Sequence, residues 1–251
     1  MYAELSIPEA LRGFVAALWT YTGNGSPHRV LPDGCLDFIF NANTGTASVI
    51  GPMSRSVIVP GPRGETSFGV RFRPGHAARF IDAHASELLD DQGSLRELTR
   101  VPELGERVLN ARDHGERVRF VTHALLDANA RARAVDTRVD RAVRLIERAQ
   151  GNVSIPELAL QVGLGERQLE RRFLEHVGLA PKRFARVIRF EHALALARHG
   201  TLGQAELAAH AGYSDEPHLL RDFRVLSGLT PRALMRERDV GIVQVSATAA
   251  G

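Results

Sequence analysis

The sequence predicts an α+β N-terminal domain, a small antiparallel sheet plus helices, followed by an all-α C-terminal domain. The second domain is expected to hold two helix-turn-helix units joined by a linker helix. Three observations lead there. The hydrophobic period changes from two residues to a helical spacing after Pro74. A stretch of the second half returns at an offset of 49 to 50 residues. The length, 251 residues, fits two small domains at roughly 100–200 residues each.

Composition narrows the function classes. Hydrophobic residues make up 44% and charged residues 24%, which excludes chain-wide disorder. No apolar run approaches the ~20 residues of a membrane helix, and Met1–Ser6 lacks the basic start of a secretory leader. A single cysteine, Cys35, excludes an internal disulfide framework and a multi-cysteine metal site. A reducing cytoplasm is therefore the expected compartment. The charge excess sits wholly in the second half: residues 1–133 hold 15 basic and 15 acidic side chains, and residues 134–251 hold 17 and 14. Lys182 is the only lysine. Arginine suits bidentate contact with phosphate and guanine, although GC-rich codon usage produces the same bias.

In the first half, Ala17–Tyr21, Cys35–Phe40, Ala47–Ile50 and Val57–Val59 read as strands. Thr66–Arg73 alternates, with Phe68, Val70 and Phe72 on one face and Gly69, Arg71 and Arg73 on the other, the solvent-facing side of a half-buried strand. Turn chemistry separates them at Gly23-Asn24-Gly25, Pro32-Asp33-Gly34, Asn43-Thr44-Gly45 and Pro60-Gly61-Pro62. His76–His84, Leu95–Leu98, Leu104–Leu109 and Glu116–Ala130 read as helices, the last able to dimerise or to cover the sheet. The Ala/Arg-rich stretch Asn129–Asp136 marks a boundary at 133/134.

The second half opens with Val139, Ala142, Val143 and Ile146 on one helical face, capped by Asp136 or Thr137 and ended by Gly151. Ser154-Ile155-Pro156-Glu157 has the form of a capping box with proline in the first turn. Then comes the repeat. Glu157-Leu158-Ala159 and Gly163 return as Glu206-Leu207-Ala208 and Gly212; Leu169, Arg171, Phe173, Gly178, Leu179 and Pro181 return as Leu219, Arg221, Phe223, Gly228, Leu229 and Pro231. Each copy reads as two helices around a glycine turn, 155–162 with 166–177 and 204–211 with 215–226. Between them Arg183–Arg198 reads as one helix with two apolar stripes: Phe184, Val187 and Ile188, then Phe190, Ala193, Leu194 and Ala197. Its ~24 Å, at ~1.5 Å per residue, suits a spacer between recognition helices one DNA turn, ~34 Å, apart.

These stretches, SIPELALQVGLGERQLERRFLEHVGLAPKRFARVIRFEHALAL and ELAAHAGYSDEPHLLRDFRVLSGLTPRALMRER, resemble the DNA-binding domain of AraC/XylS-type bacterial transcription regulators. The likeness covers about Val139 to Arg238, roughly 100 residues, and is most diagnostic at Gly212-Tyr213-Ser214, His218-Leu219, Arg221, Phe223-Arg224, Gly228 and Thr230-Pro231. LPDGCLDFIF, VIGPMSRSVIV and FGVRFRPG look like a small sensor-type domain that precedes such domains, without a settled ligand. Departures are Gly203 and Gln204 in place of Ser154 and Ile155, with Thr201…Gln204 as a substitute cap; Gly165 in place of a hydroxyl cap; and Leu234 where an aromatic is common.

The resemblance implies a sequence-specific DNA-binding transcription regulator that reads two successive major-groove segments. Base contacts fall on Arg167, Gln168, Glu170 and Arg171 of the first recognition helix and on Glu216, His218, Leu220 and Arg221 of the second. Arg171 and Arg221 lead, because arginine reads guanine while glutamine and glutamate read adenine and cytosine. Phosphate contacts fall on Arg172, Lys182, Arg183, Arg186, Arg224 and Arg232. Promoter or operator double-stranded DNA is the expected partner; RNA polymerase, a small-molecule effector and a second copy of the chain stay open, with Arg71 and Arg73 as candidates to grip an anionic effector. No cofactor, metal or catalysis is expected. His28, His76, His84, His114 and His123 show no ligand spacing, and neither a G-x-S-x-G elbow nor a phosphate loop occurs. Asp33 and Asp37 read as a turn residue and an outward strand residue, and Cys35 as a buried, inert thiol. Two rival readings remain: a DNA-repair methyltransferase using Cys35, and a partner-binding module whose helical half no longer binds DNA.

Overall fold

A computed structural model describes residues 1–132, 134–199, 202–237 and 241–243. The expected boundary at 133/134 touches Arg133, and the expected Thr201 cap rests on Thr201; both residues lie outside the described set.

The first half is a six-stranded antiparallel sheet in the order β1-β2-β7-β4-β5-β8, formed by β1 (Tyr2–Leu5), β2 (Val15–Thr22), β7 (Thr66–Phe72), β4 (Leu36–Asn41), β5 (Thr46–Ile50) and β8 (Gln92–Ser94). A second, three-stranded sheet joins β6 (Val57–Val59), β3 (His28–Val30) and β9 (Gly241–Val243), so the end of the second half pairs with a strand of the first. Helices α1 (Leu95–Leu98), α2 (Leu104–Leu109) and α3 (His114–Arg131) cover one face of the large sheet. Register explains that core. Leu18, Val70 and Phe38 stand in one cross-strand row, Thr20, Phe68 and Phe40 in the next. Phe38, Phe40, Phe68, Phe72 and Phe80 have 1% exposure or less. The expected strands are present; β1, β3, β8 and β9 are too short to show a period.

Two expectations fail for physical reasons. His76–His84 is not a helix. Only a 3-10 turn forms at Ala77–Arg79, because the backbone beyond it pairs elsewhere: Asp82 N–H donates to Leu98 O (2.9 Å), Arg100 N–H donates to Phe80 O (2.9 Å), and Ile81 bridges to Thr99. The second correction concerns the other face of β7. Trp19 lies across Gly69, where a Cβ would come within 2.0 Å of the indole. Arg71 is 5% exposed rather than solvent-facing. It sits opposite Asp37 in register and donates Nε and Nη2 to that carboxylate at 3.0 and 2.8 Å, while Nη1 lies 3.0 Å from Asp33 Oδ2. Its guanidinium is thus flanked by two carboxylates, hydrogen-bonded to Asp37 and ion-paired with Asp33. Arg73 remains exposed and donates Nε to Arg12 O at 2.9 Å. The structure thus separates the two candidate effector arginines.

The second half is helical: α4 (Thr137–Arg148), α5 (Ile155–Gln161), α6 (Glu166–Val177), α7 (Pro181–His199), α8 (Gln204–His210), α9 (Glu216–Ser227) and α10 (Pro231–Arg236). One core runs through all seven and also takes in Leu31 and Leu89 from the first half. Gly34 packs on α7 so closely that a Cβ would meet the Phe184 ring at 2.5 Å. Among the described residues no helix is long and apolar enough to cross a membrane, and no three His, Cys, Asp or Glu side chains group to hold a metal.

Removing the Arg71 charge leaves Asp33 and Asp37 without their cation, and breaking a buried ion pair costs about 3–5 kcal/mol. Arg71→Met is therefore expected to lower the urea midpoint by that equivalent; an unchanged midpoint would show that the network is dispensable.

Candidate nucleic-acid interface

Each unit is built the same way. In the first, α5 and α6 meet at the Gly163 turn; in the second, α8 and α9 meet at the Gly212 turn. Leu169 and Phe173 of α6, and Leu219 and Phe223 of α9, are 0% exposed. Their burial fixes the rotation of both helices, and the residues between them on the helical wheel must face outward. The capping differs from expectation. Ser154 stands at the start of α5 without a side-chain hydrogen bond, so the capping box does not close. Gly165 leaves α6 uncapped, as expected. The cap of α9 is Asp215, whose Oδ1 accepts His218 N–H at 2.7 Å, and not the neighbouring hydroxyl of Ser214. Gly203 N–H donates to Glu206 Oε2 at 3.0 Å, half of a capping box at the start of α8.

Arg167, Gln168, Glu170 and Arg171 are all exposed on α6, and Arg221 is exposed on α9. Glu216, His218 and Leu220 are half-buried. His218 is held locally: its Nδ1 lies 3.1 Å from Ser214 Oγ and its ring meets Tyr213 edge-on at 5.1 Å. Lys182, Arg183, Arg224 and Arg232 are exposed cations near these helices. Arg172 and Arg186 differ from that group. Arg172 Nη1 donates to Asp136 Oδ2 at 2.5 Å, and Arg186 Nε donates to Asp222 Oδ1 at 2.7 Å. The two phosphate candidates are therefore engaged in holding helices together.

These two ion pairs belong to the repeat. Each spans 36 residues, and the offset of 50 carries Asp136 onto Arg186 and Arg172 onto Asp222. Each recognition helix is thus tied to the helix that precedes its unit, with the charges reversed between copies. A search for complementary charges at the repeat offset would have found the pair. Sequence reasoning also missed Arg189, whose guanidinium lies 5.0 Å over the Tyr213 ring, and Asn152, which fills the space beside Gly212. Asp136 does double duty: it also accepts the N–H groups of Arg138 and Val139 at the start of α4. Burial alone would raise its pKa, but Arg172 and the two amides outweigh burial and hold it below the usual carboxylate range.

Cys35 is buried, with burial and then the Asp33 carboxylate pushing its thiol pKa up. That environment disfavours the thiolate a methyl acceptor needs.

Two segments match family models. Residues 158–237 match one described as a helix-turn-helix domain, and residues 5–94 match one described as a domain of unknown function (DUF6597). The HTH-type transcriptional regulator GbdR of Pseudomonas aeruginosa is 27% identical over 128 residues, 51% of this chain and 32% of that protein. The HTH-type transcriptional activator RhaS of Escherichia coli O157:H7 is 33% identical over 82 residues, 33% of this chain and 30% of that protein. The chain spans about a third of the length of these curated relatives. Among solved structures, an AraC-type transcriptional regulator from Chromobacterium violaceum is 28% identical, covering 39% of this chain and 88% of that one with a TM-score of 0.37. ToxT from Vibrio cholerae is 10% identical, covering 94% and 96% with a TM-score of 0.42. Residues 158–237 of the C-terminal half therefore carry a helix-turn-helix domain.

Asp136→Ala removes a helix cap and an ion-pair partner together, an expected loss of about 1–2 kcal/mol near neutral pH for the cap alone. Because the folded pKa is depressed, this stability is present above the unfolded carboxylate pKa and lost as pH falls through the folded one. The wild-type advantage in urea should therefore shrink below about pH 4; a pH-independent difference would contradict the assignment. Arg186→Met strands the 3%-exposed Asp222, and is expected to cost about 3 kcal/mol. The charge-exchanged double variant R186D/D222R should regain much of it in the same unfolding measurement.

Proposed function

We propose that this chain, with its AraC-type helix-turn-helix domain in the second half, is a sequence-specific DNA-binding transcription regulator. The observation that carries the reading is the arrangement of α6 and α9. Each recognition helix exposes an arginine at its middle, Arg171 or Arg221, while the residues that end it, Val177 and Ser227, are buried. Two helices held on one spacer can enter successive major-groove segments of one duplex. Arg167, Gln168, Glu170 and Arg171 read the first segment, and Glu216, His218, Leu220 and Arg221 the second. Lys182, Arg183, Arg224 and Arg232 contact phosphate and set register. Arg172 and Arg186 position the helices instead.

Residues 1–133 form the controlling domain in this reading and residues 134–251 the DNA-binding one. A small-molecule effector would act through the first domain. The burial of Arg71 and its flanking carboxylates, Asp33 and Asp37, count against that arginine as its site. A role in transcription makes RNA polymerase a partner, and α3 offers a surface for a second copy. The high thiol pKa and burial of Cys35 count against methyl transfer.

Selection of genomic fragments by full-length protein at about 0.15 M salt, near physiological ionic strength, is the test. A shared motif with two segments about 10 bp apart is expected. Arg171→Ala and Arg221→Ala should each relax the sequence at one segment, costing about 1–3 kcal/mol. Affinity should fall steeply with salt, as phosphate contacts require. Equal loss on random DNA from both variants, or a salt-independent interaction, would defeat the reading.

A further inference from the structure

Both recognition helices end in a left-handed glycine, Gly178 at φ +82° and Gly228 at φ +79°. One short segment of the first half, 51–56 between β5 and β6, touches both ends. At the first, Pro52 packs on Gly178 together with the Ala85 carbonyl; a Cβ there would stand 2.6 Å from Pro52 Cγ and 2.7 Å from Ala85 O. At the second, Ser56 N–H donates to Leu226 O at 2.7 Å and Ser56 Oγ donates to Ser227 O at 3.0 Å. Arg29 of β3 donates Nη1 to the same Ser227 carbonyl at 3.0 Å, and grips Glu237, just past α10, at 2.7 and 2.9 Å. The last turn of a helix leaves carbonyls without intrahelical partners, and the first half supplies donors for those of α9.

The segment is itself clamped. Asp90 accepts Ser54 N–H at 2.6 Å and Ser54 Oγ–H at 2.5 Å, and its own N–H donates to Pro52 O at 3.0 Å. Gly51 N–H donates to Asp91 O at 3.0 Å. Asp90 holds φ +58°, a left-handed conformation uncommon outside glycine that persists where surrounding contacts impose it. The four residue-to-residue steps from Pro52 to Ser56 span at most about 14 Å. A slide of one unit against the other must therefore break a contact at one end of the segment.

We propose that segment 51–56, clamped by Asp90, is a gauge that fixes the separation of the two recognition helices and thereby the spacing between DNA segments that one chain accepts. Pro52, Ser56 and Asp90 are positioning residues, remote from the base-reading faces. The inference rests on the DNA-binding reading above and adds the spacing determinant to it. It also gives the first half a route to control binding, since a shift at Asp90 reaches both helices through one segment.

The test uses full-length protein with spin labels at Glu166→Cys on α6 and Val225→Cys on α9, both exposed. A narrow inter-label distance distribution is expected for the native sequence and a broadened one for Asp90→Gly. That variant keeps the left-handed backbone accessible and removes only the carboxylate. Asp90→Asn, which retains an acceptor for Ser54, should restore the narrow distribution. In parallel, each protein selects from a DNA library in which the gap between segments varies by one or two base pairs. The native chain should favour one gap by about tenfold, equivalent to 1.4 kcal/mol. Asp90→Gly should flatten that preference while enriching the same bases within each segment. Ser56→Ala, a milder change, is read the same way if Asp90→Gly does not fold. An unchanged distance distribution with an unchanged gap preference overturns the gauge. Native protein that selects no two-segment DNA overturns the DNA reading and the spacing assignment with it, while the label distances separately decide whether the clamp holds the helices.

Discussion

Helix α7, Pro181–His199, is packed by both recognition helices at once, and the second half of the molecule depends on that packing. Phe184 near its start meets Phe173 of the first recognition helix at 5.6 Å, and Phe190 meets Phe223 of the second at 4.8 Å. All four rings are fully buried. Truncating one such phenylalanine in a core costs about 3–5 kcal/mol, so each recognition helix is bound to α7 by a large share of a small domain's stability. Phe184 and Phe190 are separated by less than two turns. The two units therefore pack on one shared helix rather than on a flexible linkage.

Ion pairs refine what the aromatic contacts begin. Hydrophobic packing resists separation but tolerates small rotations, whereas a charge-assisted hydrogen bond has a preferred direction. Asp136–Arg172 and Arg186–Asp222 stand at equivalent places in the two units with charges reversed. Each fixes the azimuth of a recognition helix against the helix before its unit. Reversal matters for the surface too: the α6 pair places its arginine on the recognition helix, and the α9 pair places its arginine on α7. The arginines left free, Arg171 and Arg221, then stand at matching positions of the repeat with the same outward aspect. Paired and exposed arginines are thus different residues of the repeat.

The first half follows another logic. Its large sheet buries one face against α1, α2 and α3 and covers much of the other with Trp19, with the Arg71–Asp33–Asp37 network and with the Gly34 loop lying on α7. An antiparallel sheet usually leaves one face in water; here the second half takes part of the solvent's place. Leu31 and Leu89 cross over to join the helical core, and β9 returns to pair with β3. A change in the first half therefore has mechanical contact with both helix-turn-helix units.

Much of the helical half was legible in the sequence because its signals are local. Leu169, Phe173, Leu219 and Phe223 mark buried stripes at helical spacing, glycines mark the turns, and the offset of 50 exposes the shared plan; α6 lies where the spacing placed it. A short apolar run likewise located β4, and alternation located β7 and assigned Phe68, Val70 and Phe72 to the core. The same alternation put Asp37 and Arg71 on the outer side without showing that this side is covered. Their pairing depends on strand register between residues 34 positions apart. Arg172 and Arg186 looked like their exposed neighbours because an arginine's partner is set by three-dimensional proximity, not by its own side chain. Periodicity and turn chemistry act within a few residues, so the sequence determined most of the elements, the repeat and which faces of α6 and α9 are buried. Register, charge pairing and the closure of 51–56 over both helix ends act between distant residues, and only the tertiary structure decided them.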